Sequence, residues 1–223
     1  RHITYAFVNA TLHVDPSTTL DSAVLIVKDG KIEDAGRKLS VPESAVVIDV
    51  NGKHIYPSFI DLFSDYGMPE VKKAMPQENP QLLSNTKGAY GWNQSVRAEF
   101  DAYKNFSADQ KKADEMRKLG FGTTMSVYKD GVVRGTSVLA LLGDEKENNM
   151  IIKDRAAAQF SFDPGSSTQD YPASLMGAIA LIRQTYLDAN WYKSGGYKKE
   201  YNISLDAFNR LRDLPQIFDA GEK

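Results

Sequence analysis

Histidine is the side chain most often recruited for proton transfer and metal ligation near neutral pH, and this chain of 223 residues has only three: His2, His13 and His54. All lie in the first quarter of the sequence, none beside another histidine, and each reads as a solvated or strand-packed imidazole without assigned chemistry. Cysteine is absent, which removes disulfides, thiolate zinc sites and cysteine nucleophiles together. Ser64-Asp65 and Ser166-Ser167 offer hydroxyls, but no histidine is near in sequence to serve as base and no Gly-x-Ser-x-Gly turn is present. Gly131 and Gly135 flank a strand-like run without the Lys-Ser/Thr ending of a phosphate loop, so no nucleotide site is expected there. Asp65 has the oxygen ligands that suit a hard cation such as Mg2+ or Ca2+. No clustered Asp/Glu spacing supports it, and the plainer reading is a polar cap at a strand end. Tyr90, Trp92 and Tyr103 either line a ligand groove or pin a long loop to the body of the protein.

The elements that must hold these groups change character near Pro57. Up to residue 56 the text reads as short strands and tight turns. Residues 23–27 and 31–35 flank Asp29-Gly30, a dipeptide suited to the positive φ angles of a hairpin, and residues 45–49 and 53–56 flank Val50-Asn51-Gly52 in the same way. This unit is too small to close a sandwich comfortably and is expected to borrow strands from elsewhere. Beyond it, Phe59-Ile60-Asp61-Leu62-Phe63 reads as a buried strand. Residues 69–105 form a long excursion rich in Pro, Asn, Gln and Gly. Ser107 is placed as the cap of a helix ending at Gly120, followed by strands at 121–128, 137–142 and 157–162. Leu175, Ile179, Ile182, Tyr186 and Ala189 trace one apolar helical face, Ser204 caps a further helix, and residues 216–219 form another strand.

Strand alternating with helix after residue 57 predicts a parallel α/β architecture. A closed eight-stranded barrel takes on the order of 250 residues, more than residues 58–223 supply, so the chain is expected to be a piece of a longer polypeptide. It opens at Arg1 without an apolar leader, which reads as the loss of a leader or tag. Twenty-seven Lys and Arg against 29 Asp and Glu, without a basic cluster, argue against a nucleic-acid partner. The apolar runs fall well short of the roughly 20 residues that span a bilayer.

The run Ala23-Val24-Leu25-Ile26-Val27-Lys28-Asp29-Gly30-Lys31-Ile32, then Val46-Val47-Ile48-Asp49-Val50-Asn51-Gly52-Lys53 and Tyr56-Pro57-Ser58-Phe59-Ile60-Asp61, resembles the opening of amidohydrolase-superfamily proteins, the imidazolonepropionase-like ones among them. Leu119-Gly120-Phe121-Gly122-Thr123-Thr124 is similar to a later strand entry of that family. Residues 88–94 and 166–172 resemble exported, long Bacteroidota members, which implies a periplasmic or cell-envelope location. The resemblance implies an α/β fold: a small N-terminal β-sandwich unit, residues 1–57, followed by the first part of a TIM-like (β/α)8 barrel, residues 58–223. It also implies metal-dependent hydrolysis of amide or cyclic-amide carbon–nitrogen bonds.

In that family the first barrel strand ends in Asp-x-His-x-His. Asp61 matches the opening Asp, a mainly structural position, but Phe63 and Asp65 stand where the histidines would be. Side chains two apart share a strand face, and phenylalanine has no lone pair to offer a metal. Asp65 remains the single metal-ligand candidate of this segment. The segment is therefore expected to bind no cofactor and to be inactive alone, with zinc or another divalent metal in the full-length protein. Its partners are the remainder of the same polypeptide or barrel, a small-molecule or peptide-like substrate, and further copies of itself as a homo-oligomer. The competing readings are a catalytically inactive barrel kept for binding or scaffolding, and a surface module that takes peptide or glycan fragments through the aromatic excursion.

Overall fold

The computed structural model describes residues 3–72 and 88–221; His2 and the central part of the expected excursion lie outside the described residues. The chain divides into two compact units, residues 1–58 and 59–223. The fold is α/β, a small N-terminal β unit followed by a curled sheet that forms the first part of a TIM-like barrel.

In the first unit β1 (Thr4–Asp15), β2 (Thr18–Lys28), β3 (Lys31–Gly36), β4 (Val46–Asp49) and β5 (His54–Ile55) make one sheet in the order β3-β2-β1-β4, with β5 also on β1. The Asp29-Gly30 hairpin forms as expected: both residues have positive φ, 51° and 74°, matching the twist of antiparallel β2 and β3. The second expected hairpin does not. β4 and β5 both run parallel to β1, one after the other along its free edge, Tyr5 to Val8 against Val46 to Asp49 and then Thr11 and Leu12 against His54 and Ile55. Between them the Asp49 carboxylate accepts from the amide of Asn51 (3.0 Å) and the side chain of Asn9 (3.1 Å), so the chain bulges outward at Gly52 and resumes its direction. A strand pairing with the long β1 keeps its ladder bonds, and the turn dipeptide is left to serve the bulge. Ala10, Leu12 and Ala23 form the unit's core with Leu20, Leu25, Val50 and Ile55 around them.

The second unit runs β6 (Phe59–Ser64), α1 (Ala102–Asn105), α2 (Gln110–Lys118), β7 (Phe121–Ser126), β8 (Val133–Leu141), α3 (Glu147–Met150), β9 (Ile151–Ser161), α4 (Leu175–Lys193), α5 (Ile203–Leu211) and β10 (Gln216–Asp219). Its sheet order is β10-β9-β8-β7-β6. β6 is parallel to β7, and β10 to β9, but β8 is antiparallel to both its neighbours. The parallel alternation expected from the sequence is thus interrupted by one reversed strand. The short connection through α3 explains it: nine residues, 142–150, separate β8 from β9, fewer than the dozen or so that a parallel crossover needs.

Three further expectations are corrected. Phe59, Ile60 and Leu62 are exposed rather than buried, because among the described residues β6 pairs on one edge only, with β7. The helix caps sit at Asp109 and Asn202, whose carboxylate and amide oxygens accept from the Lys112 and Leu205 amides, not at Ser107 and Ser204. The buried face of α4 is Ala178, Leu181, Ile182, Thr185, Ala189 and Tyr192, while Leu175 and Ile179 are exposed. Both faces have helical spacing; small Ala178 and Ala189 permit the closer approach to the sheet.

Val133, Ala158, Phe160, Ala189, Ala207, Phe208 and Leu211 join β8 and β9 to α4 and α5 in one core cluster. Tyr66, Ala102, Phe106, Ala113, Val138, Ala140 and Leu142 form a second. Gly135, at φ 75°, lets β8 pass the excursion: a Cβ there would run into the Phe100 carbonyl oxygen, whereas a Cβ on Gly30 meets nothing within 4 Å. Gly135→Ala is expected to destabilise the chain by about 2 kcal/mol or more, left-handed strain plus a backbone collision. Gly30→Ala carries strain alone, about 1 kcal/mol. Urea unfolding midpoints of the two variants measure the difference.

Candidate functional site at the barrel mouth

Parallel strands of a barrel deliver the residues after their C-terminal ends to one face. Here β6 ends at Ser64, β7 at Ser126, β9 at Ser161 and β10 at Asp219. Because β8 is reversed, its first residues join them. Arg134, at the start of β8, is the central charge of this face: its side chain is 5% exposed, Nη1 donates to Asp219 Oδ2 at 2.9 Å, and Nε donates to the Gly131 carbonyl at 3.2 Å. A buried guanidinium without a carboxylate would cost several kcal/mol, so the pair ties β8 to β10 across β9. Arg134, Ser161, Phe162, Asp163, Leu175 and Asp219 wall a cavity of about 510 Å3.

Phe63 faces cations. Lys129 Nζ stands 4.2 Å from the centre of its ring and Arg134 Cζ 6.0 Å, within the range of cation–π attraction. Asp61 turns back to accept from the Phe63 amide at 3.0 Å, a structural role. Asp65 is exposed, and its carbonyl accepts from the Met68 amide. Ser64 is buried, its hydroxyl accepting from the Tyr66 amide at 3.1 Å. A divalent metal does not fit this arrangement: an aromatic ring offers no lone pair, two cations crowd it, and no group of three His, Asp or Glu among the described residues is placed to hold an ion. His13 and His54 lie together in the first unit, His13 Nε2 2.9 Å from His54 Nδ1 and stacked on Tyr56, a pairing the sequence did not announce.

Ser166 is a clamp rather than a nucleophile. Asp130, 1% exposed, accepts from the Ser166 amide at 2.6 Å and hydroxyl at 2.8 Å, and it also pairs with Arg97 Nη2 at 3.0 Å. Around it Ser95 Oγ donates to the Pro164 carbonyl, Asn93 to the Tyr171 carbonyl, and the Gln94 and Gln169 side chains are exchanged across the same seam. The two segments singled out in the sequence, near 88–94 and 166–172, are therefore bonded to each other. Trp92 stacks on Tyr171 with centroids 6.1 Å apart, and Tyr103, within α1, packs against the cluster of Tyr66, Phe106 and Val138 beside Lys104 and Arg155, so these two aromatics pin the excursion. Gly131, at φ 91°, brings its Cα against Ser95, where a Cβ would sit 2.6 Å from the carbonyl oxygen.

Tyr90 instead lines a cavity of about 440 Å3 with Gln94, Arg97, Glu99 and Thr168. Burial pushes the Glu99 carboxyl above the usual carboxylate range, and Glu99 Oε2, Arg97 Nε and Gln94 Nε2 are buried without a hydrogen-bond partner among the described residues. Sequence reasoning missed Lys129, Arg134, Asp219 and Glu99. The available signal was a lone arginine inside Val132-Val133-Arg134-Gly135-Thr136, a charge in a strand that demands a partner.

The chain matches no protein-family model and no curated protein. Among solved structures it is similar to an amidohydrolase from Thermotoga maritima MSB8, with TM-score 0.70 and 21% identity, over 96% of this chain and 57% of that one. The likeness establishes a shared fold, and the chain spans 57% of that protein's length. A second amidohydrolase is similar over 27% of this chain and 15% of its own, at 37% identity and TM-score 0.25. The guanine deaminase of E. coli is similar over 56% and 29%, at 21% identity and TM-score 0.24. These two likenesses are too local to bear on the site.

Because the folded state holds the Glu99 proton more tightly than the unfolded chain does, ionising it costs stability as pH rises through the raised pKa, and below the ordinary carboxylate range the cost is absent. Glu99→Gln is expected to stabilise the chain at pH 8, by on the order of 1 kcal/mol for a buried charged acceptor left unpaired, and to give no gain at pH 3. Thermal unfolding at the two pH values checks the sign.

Proposed function

We propose that this chain supplies the first half of an amidohydrolase-type barrel and contributes a substrate-binding mouth, not a metal centre. The protein it belongs to acts on carbon–nitrogen bonds of a small-molecule or peptide-like amide, with zinc or another divalent ion held by residues outside this mouth. Support for the fold comes from the likeness to the Thermotoga amidohydrolase. The observation that carries the reading of the mouth is the ring of Phe63 beneath Lys129, where the resemblance would put a histidine. Asp65 alone is a poor zinc ligand set, since structural and catalytic zinc sites use three or four protein ligands. The exposed apolar side chains of edge strand β6, Phe59, Ile60 and Leu62, suit coverage by the remainder of the same barrel.

A second reading, a catalytically inactive barrel retained for ligand binding or scaffolding, is favoured by the same two cations beside Phe63. Arg134 is neutralised by Asp219, so the Lys129 ammonium is the charge that opposes a metal ion there.

Elemental analysis after incubation with Zn2+ and desalting tests the reading of the mouth. The chain is expected to retain far less than one zinc per molecule and to hydrolyse neither linear nor cyclic amides. Stoichiometric zinc that Asp65→Asn removes would overturn it. Turnover of an amide by a longer polypeptide containing this chain supports the first reading, and its absence there supports the second.

A further inference from the structure

We propose that Lys129 and Arg134 bind an oxyanion, a carboxylate or phosphate on a small apolar body, at the barrel mouth beside Phe63. Both cations lie within 6.0 Å of one aromatic ring. The carboxylates around them are engaged elsewhere. Asp130, next to Lys129 in sequence, is closed off by Arg97 and Ser166. Asp219 accepts from Arg134 and from the Gly221 amide, and Asp163 accepts from the Gly165 amide. Lys129 is half-buried and has no carboxylate within ion-pair distance among the described residues. An ammonium held against a ring and partly removed from water, with no counter-charge, is where an anion gains most.

Arg134 links that cation to a space. It lies against the Phe63 ring and also walls the cavity of about 510 Å3, a volume suited to a small molecule. Its guanidinium carries five N–H donors, and the two bonds to Gly131 and Asp219 leave others for an oxyanion, which a planar fork grips in two-point fashion. Phe162 and Leu175 give the cavity an apolar wall, so the ligand it fits has a charged oxygen head and an apolar body. The inference rests on the reading of this mouth as a binding site and is independent of any hydrolysis.

Benzoate, phenyl phosphate and neutral benzamide, three probes of similar body, are titrated into the chain by calorimetry, with zinc retention measured on the same preparation. At least one of the two anions is expected to bind saturably and at least tenfold more tightly than benzamide, and the tighter of them identifies the head group. Lys129→Met, which keeps the apolar stem over Phe63, is expected to lose at least tenfold for that anion and nothing for benzamide, while Lys129→Arg retains binding. Anions that bind no better than benzamide, or a Lys129→Met chain that binds them as the parent does, overturn the proposal. If that happens with zinc still absent, the anion site alone falls; stoichiometric zinc would take the reading of the mouth with it.

Discussion

A guanidinium buried within a sheet must meet a carboxylate or forfeit several kcal/mol, and Arg134 meets Asp219. That bond spans from β8 to β10 with β9 between, so it couples three of the five strands in the second unit. It also fixes what the mouth can be. A strand carrying a buried arginine at this face places a second cation, with Lys129, beside the neighbouring phenylalanine ring.

The bond exists because β8 is reversed. In a strictly parallel sheet, the first residues of a strand lie at the face opposite the loops that carry chemistry. Antiparallel pairing with β7 and β9 brings Val133 level with Phe160 and Val132 against Ser161, so Arg134 stands at the same end as Asp219, the partner of Ser161 on the other side. The close approach of this hairpin to the excursion is made possible by Gly131 and Gly135, both at positive φ. The same region is then locked from outside by the Asp130, Arg97 and Ser166 cluster, in which the buried Asp130 carboxylate is held by both other members. Two carboxylates thus have separate tasks: Asp130 clamps the loop, and Asp219 pairs with the mouth arginine.

Glu99 behaves differently from these carboxylates. It makes no ion pair among the described residues, and burial outweighs the opposing influence of Ser204 and Arg97 on its proton. It lines a second cavity with Tyr90 and Gln94, which shares no lining residue with the cavity at the mouth.

The sequence by itself determined what depends on neighbours along the chain. Asp29-Gly30 favours positive φ at both residues and makes its hairpin; the strands near 121, 157 and 216 and the helix carrying Ile182 and Ala189 follow from local periodicity. Phe63 could be excluded as a metal ligand from its chemistry alone. Only the tertiary structure decided partners. Asn51-Gly52 carries an equally good turn signal, yet β4 and β5 pair with β1 because a long strand was available to them. The buried face of α4 was chosen by fit to the sheet between two faces of similar spacing. Lys129 and Arg134 reach Phe63, and Arg134 reaches Asp219 across 85 positions of sequence, through strand order and direction. Local preference is a property of a few adjacent residues, whereas the pairing of strands and the neutralisation of buried charge are decided by which segments the fold brings within a few ångströms.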